Sequence, residues 1–267
     1  MQLTFPHRET WLHRVNPGVK LFAAVVLFIV VVFTHNLNTM LYVTLGSLLP
    51  LAVLSGHPWK RLLLYASPFL LIFISSSLGM MMFGQGETEW FRLGIIHITA
   101  ESFYRGIHLG LRGMQIAAVG LLFSLTTRPV SLFYALMQQW KVPPKYAYSF
   151  LAALRMVPVM LTEFQTLRYA LKVRGKPPGQ SWNPLLRVYG VLRRYAIPLL
   201  AQSIRRAHRT AVAMEAKRFS LSKERTYYYR ITYGWLDAAY VAYWLVLLLA
   251  AHELAVHYPV VTATDVR

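Results

Sequence analysis

From Leu62 to Phe83 the chain runs for 22 residues without a charged side chain. A helix needs about 20 apolar residues to cross a hydrocarbon core about 30 Å thick. In lipid there is no water to satisfy backbone N–H and C=O groups, so a run of this kind must close its hydrogen bonds internally. Val19 to Thr34 is a second apolar run, with Lys20 near its start and every position from Leu21 to Phe33 apolar, and Leu37 to Ser55 is a third, with Pro50 near its end. Gly106 to Leu125 and Gly234 to Ala251 complete the set, the last flanked by Tyr233 and Trp235. With 56% hydrophobic and 14% charged residues, the chain is too apolar for an ordinary soluble domain. The expected fold class is all-α: a polytopic helical membrane protein with about five transmembrane helices. The polar opening, Met1 to Lys20, does not read as a signal peptide, so the first span is expected to be a retained anchor.

Charge divides this chain as sharply as hydropathy does. Between Arg128 and Arg230 lie 19 of its 28 Lys and Arg residues, against three acids, Glu163, Glu215 and Glu224. Positive charge accumulates on the cytoplasmic side of membrane proteins, so this block is expected inside. The Lys60-Arg61 turn belongs on the same side as the block. Residues 84–105, with Glu87, Glu89 and Glu101 against Arg92 and Arg105, are expected outside. The domain expectation is a membrane domain over 1–127, a basic cytoplasmic domain over 128–230, and a C-terminal span with its tail over 231–267. Gly106, Gly110 and Gly113 on the fourth span are expected to let another helix approach closely.

Within the block, Pro143-Pro144 separates a short amphipathic segment, Val130 to Trp140, from a longer one, Lys145 to Arg174. Steps of four, three and four residues bring Glu163, Leu167, Ala170 and Arg174 to one helix face. Gly175 stands where a helix C-cap favours glycine. Lys176-Pro177-Pro178-Gly179 predicts a turn, and Asn183-Pro184 can start a second helix running to about Arg218, with a kink at Pro198. On it Arg209, Ala213 and Lys217 share a face, and Ala211, Ala213 and Ala216 keep the surface slim. The pattern is two long helices, each ending in a basic tip.

At this point the residues resemble a known family, the transmembrane T component of energy-coupling factor type ABC transporters. Leu12-His13-Arg14-Val15-Asn16-Pro17-Gly18-Val19-Lys20-Leu21 is similar to the family's LHxLDPRxKL signature, departing from it at Asn16 and Gly18. Leu125-Thr126-Thr127-Arg128-Pro129 resembles the threonine-rich end of a span leading into the cytoplasmic domain. Ala153-Leu154-Arg155-Met156-Val157-Pro158, with Glu163, resembles the opening of the first coupling helix. Val173-Arg174-Gly175 matches the first Ala-Arg-Gly-like tip. Ala213-Met214-Glu215-Ala216-Lys217-Arg218-Phe219 matches the frame of the second, with Lys217 where the family has Arg and Arg218 where it has Gly. That departure leaves either cation as the second contact and removes a glycine cap.

The resemblance implies a pair of coupling helices whose tips insert into two cytoplasmic ATPase subunits, and a separate substrate-binding membrane S component for a vitamin or metal ion. It places Val173, Arg174, Gly175, Ala216, Lys217 and Arg218 in the ATPase contacts, with Glu163, Ala170, Ala213 and Glu215 supporting the coupling helices. It also implies a multi-pass place in a bacterial or archaeal cell (inner) membrane. No GxxxxGK[ST] loop is present, and the glycine-rich Gly175 to Ser181 has the wrong spacing and prolines where amide donors are needed. ATP and Mg are therefore expected on partner subunits, with no cofactor on this chain. At rigid helix tips, guanidinium groups can pair bidentately with carboxylates, which Arg does better than Lys.

Other chemistries are poorly served. The chain has no cysteine. In His252-Glu253-Leu254-Ala255-Val256-His257 the histidines are five apart, about 140° round a helix rather than on one face, which fails the zinc-protease spacing. Neither a catalytic nor a metal site is expected. Glu163 is expected to orient a nearby cation, Arg155 or Arg168, and Arg112 to make a contact in the bundle interior. The Met80-Met81-Met82 run reads as adaptable packing. The rival reading is a membrane-anchored protein whose basic block, with Tyr227, Tyr228 and Tyr229, binds nucleic acid or anionic lipid. Its cations are spread along amphipathic helices rather than set in a recognised nucleic-acid module, so no nucleic acid is expected. An intramembrane enzyme lacks paired carboxylates, a nucleophile elbow and metal spacing.

Overall fold

A computed structural model describes residues 9–84, 88–93, 96–175, 184–219 and 226–261. The elements run α1 Trp11–Arg14, α2 Pro17–Phe33, α3 Leu37–Leu54, α4 Trp59–Phe83, β1 Glu89–Leu93, β2 Ile96–Thr99, α5 Ala100–Thr126, α6 Pro129–Gln138, α7 Pro144–Val173, α8 Pro184–Ala216 and α9 Trp235–His257. The protein is an all-α, multi-pass membrane protein. The predicted turn at Lys176 to Gly179 and the Asn183 helix start lie outside the described residues.

Helix starts follow local chemistry. The Asn16 side chain accepts from the Gly18 N–H at 2.9 Å with Pro17 at the first helical position, and the Asn36 side chain accepts from the Asn38 N–H at 2.9 Å. Thr99 caps α5 by accepting from the Ser102 N–H at 3.2 Å. α5 begins six residues before the expected Gly106, because that cap follows directly on β2. β1 and β2 form an antiparallel hairpin inside the stretch expected only to be polar, with Arg92 paired to His97 and Leu93 to Ile96.

The residues fall into two compact units, Met1–Ala135 with Ile231–Arg267, and Leu136–Arg230. In the first, α5 is flanked by α2, α3 and α4, and α9 packs on α3, α2 and α1. The core gathers Leu27, Leu51, Leu62, Leu122, Tyr240 and Trp244, with Leu12 and Val15 of the N-terminal signature buried beneath them. Large apolar side chains on the outside, such as Leu64, Leu71 and Leu249, face where lipid would lie. A Cβ on Gly106 would meet Met81 Cγ at 2.5 Å, and one on Gly110 would meet Phe73 Cε2 at 2.6 Å, so α4 approaches α5 over those two glycines. Gly113 has nothing within 4 Å, so its expected role in close approach does not hold: two turns beyond Gly106 it lies on the same face of α5, but no neighbouring atom comes as near there. A close approach not anticipated is at Gly46, where a Cβ would collide with the Leu247 side chain of α9.

Five helices are long and apolar enough to cross a membrane: α3, α4, α5, α7 and α9. α2, counted among the expected spans, is shorter at 17 residues, or about 26 Å. α7 enters the set because its own charges are few and well separated, although it lies inside the basic block.

Candidate functional site

In the second unit α7 and α8 lie antiparallel. Phe164 meets Tyr195 with ring centroids 5.2 Å apart, the Ser203 hydroxyl lies 3.5 Å from the Met160 sulfur, and Tyr148 meets Phe219 edge-on at 5.5 Å. Arg206 donates to the Glu163 carboxylate across the pair. This corrects the expectation that Glu163 serves Arg155 or Arg168: the turns of α7 point those cations elsewhere, while the antiparallel register brings Arg206 opposite. Glu163 is the more buried partner, and its second oxygen is enclosed without a hydrogen bond.

The antiparallel arrangement separates the two helix ends. The end of α8 sits beside Tyr148 near the start of α7, whereas the other tip is at Val173. Those positions on α7 are 25 residues apart, about 38 Å along a helix.

Each tip is built by capping. At the first, the Arg174 N–H donates to the Ala170 carbonyl at 3.1 Å and the Gly175 N–H to the Lys172 carbonyl at 3.1 Å, with Gly175 at φ +64°. Val173 is 88% exposed, and Arg174 and Gly175 are exposed beside it. At the second, α8 ends at Ala216 rather than Arg218. The Lys217 N–H donates to Ala213 at 3.2 Å, the Arg218 N–H to Glu215 at 2.8 Å, and the Phe219 N–H to Met214 at 3.0 Å. The last two bonds form a Schellman motif, whose left-handed position is normally glycine. Here Arg218 fills it at φ +54°. The loss of glycine has therefore not removed the cap. Lys217 stands at the capping position that Arg174 holds on α7, and Arg218 stands where Gly175 does.

A polar junction in the first unit draws on the N-terminal signature. The Asn16 N–H donates to Asp237 Oδ1 at 2.7 Å, and the Gly234 N–H donates to Asp237 Oδ2 at 2.8 Å. Lys20, 1% exposed, donates from Nζ to the Thr126 carbonyl at 3.0 Å. Two of the sequence landmarks, the signature and the threonine pair, thus meet at one end of the membrane helices. Asp237 was missed by sequence reasoning, although a lone acid at the start of an apolar span is a signal that could have found it. At the other end, Arg112 donates to the Thr34 carbonyl at 3.1 Å, closing the end of α2 and giving the interior contact expected of it.

Among the described residues no group of three or more His, Cys, Asp or Glu could hold a metal ion. His257 and Glu253 form an exposed i,i+4 pair at 3.5 Å.

The family model described as CbiQ, cobalt transport protein, matches residues 8–228. Relatives named energy-coupling factor transporter transmembrane protein EcfT match along most of the chain. The protein from Streptococcus equi subsp. equi strain 4047 is 31% identical over 224 residues, covering 81% of this chain and 82% of its own. That from Streptococcus thermophilus is 30% identical over 237 residues, covering 86% and 88%, and that from Acidaminococcus fermentans is 30% identical over 234 residues, covering 85% and 86%. With this match spanning the signature, the threonine pair and both helix tips, the chain belongs to the CbiQ/EcfT family of transmembrane components of energy-coupling factor transporters.

Proposed function

We propose that this chain is the non-catalytic energy-coupling subunit of an importer, transmitting ATP-driven motion of two cytoplasmic ATPases to a separate substrate-binding membrane subunit for a vitamin or metal ion. ATP and Mg belong to the ATPases in this reading. The observation that carries it is the pair of matched cationic caps at opposite ends of α7 and α8. Arg174 and Lys217 occupy equivalent, exposed capping positions about 38 Å apart along α7, far enough for each to reach a different protein. Each tip offers its cation to a carboxylate, bidentately for Arg174 and as a point charge for Lys217. Glu163 and Arg206, midway along the pair, tie the helices so that displacement of one tip is carried to the other helix.

Between the tips, α7 and α8 expose an apolar surface with Phe150, Val157, Leu161, Leu200 and Ile204 outermost. Met156 and Met160 line a groove of about 640 Å³ there. Exposed apolar surface of this extent marks an interaction site, and methionines adapt to varied shapes. It suits the seat of a hydrophobic membrane subunit.

The test is affinity purification in mild detergent from the native host, followed by mass spectrometry and an ATPase assay. Recovery of two Walker-motif ATPase chains and a small hydrophobic membrane protein supports the reading and identifies the substrate class through that protein. Recovery of the chain alone, or with nucleic acid, overturns it.

A further inference from the structure

We infer that the seam between α2 and α5 is a binding site for one anionic phospholipid, headgroup at the Lys20 end and acyl chain along the helices. At the Lys20 end lies a cavity of about 260 Å³ whose lining includes Arg14, Lys20, Thr126, Thr127 and Arg128, with Glu9 as its one acid. Lys20 brings three N–H donors to this place, and among the described residues its acceptors are the Thr126 carbonyl at 3.0 Å and the Thr126 hydroxyl at 3.5 Å. The Thr127 hydroxyl is shut off from solvent without a hydrogen-bond partner among the described residues. Arg128 is engaged by Glu9 at 2.6 Å, but both are largely exposed, and such pairs contribute little and re-form readily. A phosphate offers several acceptor oxygens to ammonium, guanidinium and hydroxyl groups at once.

A lipid is favoured over a free phosphate by what continues along the same seam. Lys20, Ala24 and Phe28 are four residues apart and share one face of α2. Beyond Lys20 that face, with Val25, Ile116, Val119 and Gly120, lines an apolar groove of about 230 Å³. Gly120 has nothing within 4 Å of its Cβ position, and Val25, Phe28 and Ile116 are exposed at the groove's edge. From Lys20 to Val31 the seam runs 11 residues, about 16 Å, close to the depth of one leaflet's hydrocarbon. A polar, cationic cavity opening into an apolar groove one leaflet deep has the shape and chemistry of a phospholipid. Its end of the bundle is the one from which Arg128 leads into the basic block, the side where anionic lipid concentrates.

Native mass spectrometry of the purified full chain would measure this, titrating phosphatidylglycerol, phosphatidylcholine of the same acyl chains, and inorganic phosphate. Phosphatidylglycerol is expected to bind in a one-to-one complex more tightly than phosphatidylcholine. Arg14→Gln, at an exposed position that leaves the core intact, should weaken it about fivefold. Gly120→Leu, which fills the groove, should weaken both lipids. Equal binding of the two lipids, or unchanged binding in both variants, overturns the proposal. So does displacement of phosphatidylglycerol by millimolar phosphate, which would mark a free-anion site. Occupation of the seam by a partner's membrane helix in the purified complex, with lipid excluded, would do the same.

Discussion

Arg218 and Gly175 share a backbone conformation: each follows a helix-end cation and each turns the chain through a left-handed residue, at φ +54° and +64°. Glycine adopts that region freely, whereas a side chain at this position costs about 1 kcal/mol. The second tip keeps its Schellman bonds at that cost and gains a second cation.

Arg218→Gly should therefore stabilise the end of α8 by about 1 kcal/mol while retaining ATPase association. Hydrogen exchange at residues 214–219 would show slower opening in the variant. Faster exchange there would mean that Arg218 makes contacts outweighing the backbone cost.

Arg174→Ala and Lys217→Ala should each weaken co-purification of ATPase, and the double variant should abolish it. The equivalence of the two caps predicts effects of the same order, on the order of tenfold each, as for loss of one charge-assisted contact. A loss confined to Arg218→Ala, with Lys217→Ala unaffected, would reassign the second contact.

A double-mutant cycle on Glu163→Gln and Arg206→Gln should return a coupling of about 1 kcal/mol, discounted because Arg206 is partly solvated. Either single change should loosen α7 against α8 and lower transport more than it lowers ATPase binding. Additive effects would show that the pair does not hold the helices together.

Asp237→Ala leaves the buried Asn16 N–H and the part-buried Gly234 N–H without their acceptor and should cost about 1–3 kcal/mol. Asp237→Asn, which keeps one acceptor oxygen, should cost less. Thermal unfolding in detergent would rank the two, and equal midpoints would remove the junction from the stability argument.

Gly110→Ala should destabilise the bundle by about 1–3 kcal/mol, since its Cβ would meet Phe73 at 2.6 Å. Gly113→Ala, on the same helix and open on that side, should be neutral or stabilising by up to about 1 kcal/mol. Unfolding midpoints that reversed this order would contradict the packing of α4 on α5.

Much of this protein is written along the chain. The length and apolarity of the runs from Leu37 to Leu54 and from Leu62 to Phe83 dictate helices, because an unpaired backbone is intolerable in lipid. Pro144 and Gly175 punctuate α7 through their own dihedral preferences, and the positions of the tip residues follow from them. The β1–β2 hairpin was less legible, since its nine strand residues are short runs broken by charge, without a long alternating pattern.

Relations between distant residues could be settled only by the fold. Which cation meets Glu163 depends on the antiparallel register of α7 and α8, and which glycine is closely approached depends on where along α5 the side chains of α4 come nearest. Asn16 and Asp237, 221 residues apart, meet through the packing of α9 on the N-terminal helices. Local sequence determined which segments become helices and placed ends such as those at Pro144 and Gly175, because those are contests between neighbouring dihedrals and solvent. Tertiary structure decided which buried charges and amides satisfy one another, because the cost of leaving a polar group unpaired is paid only once packing has removed the water.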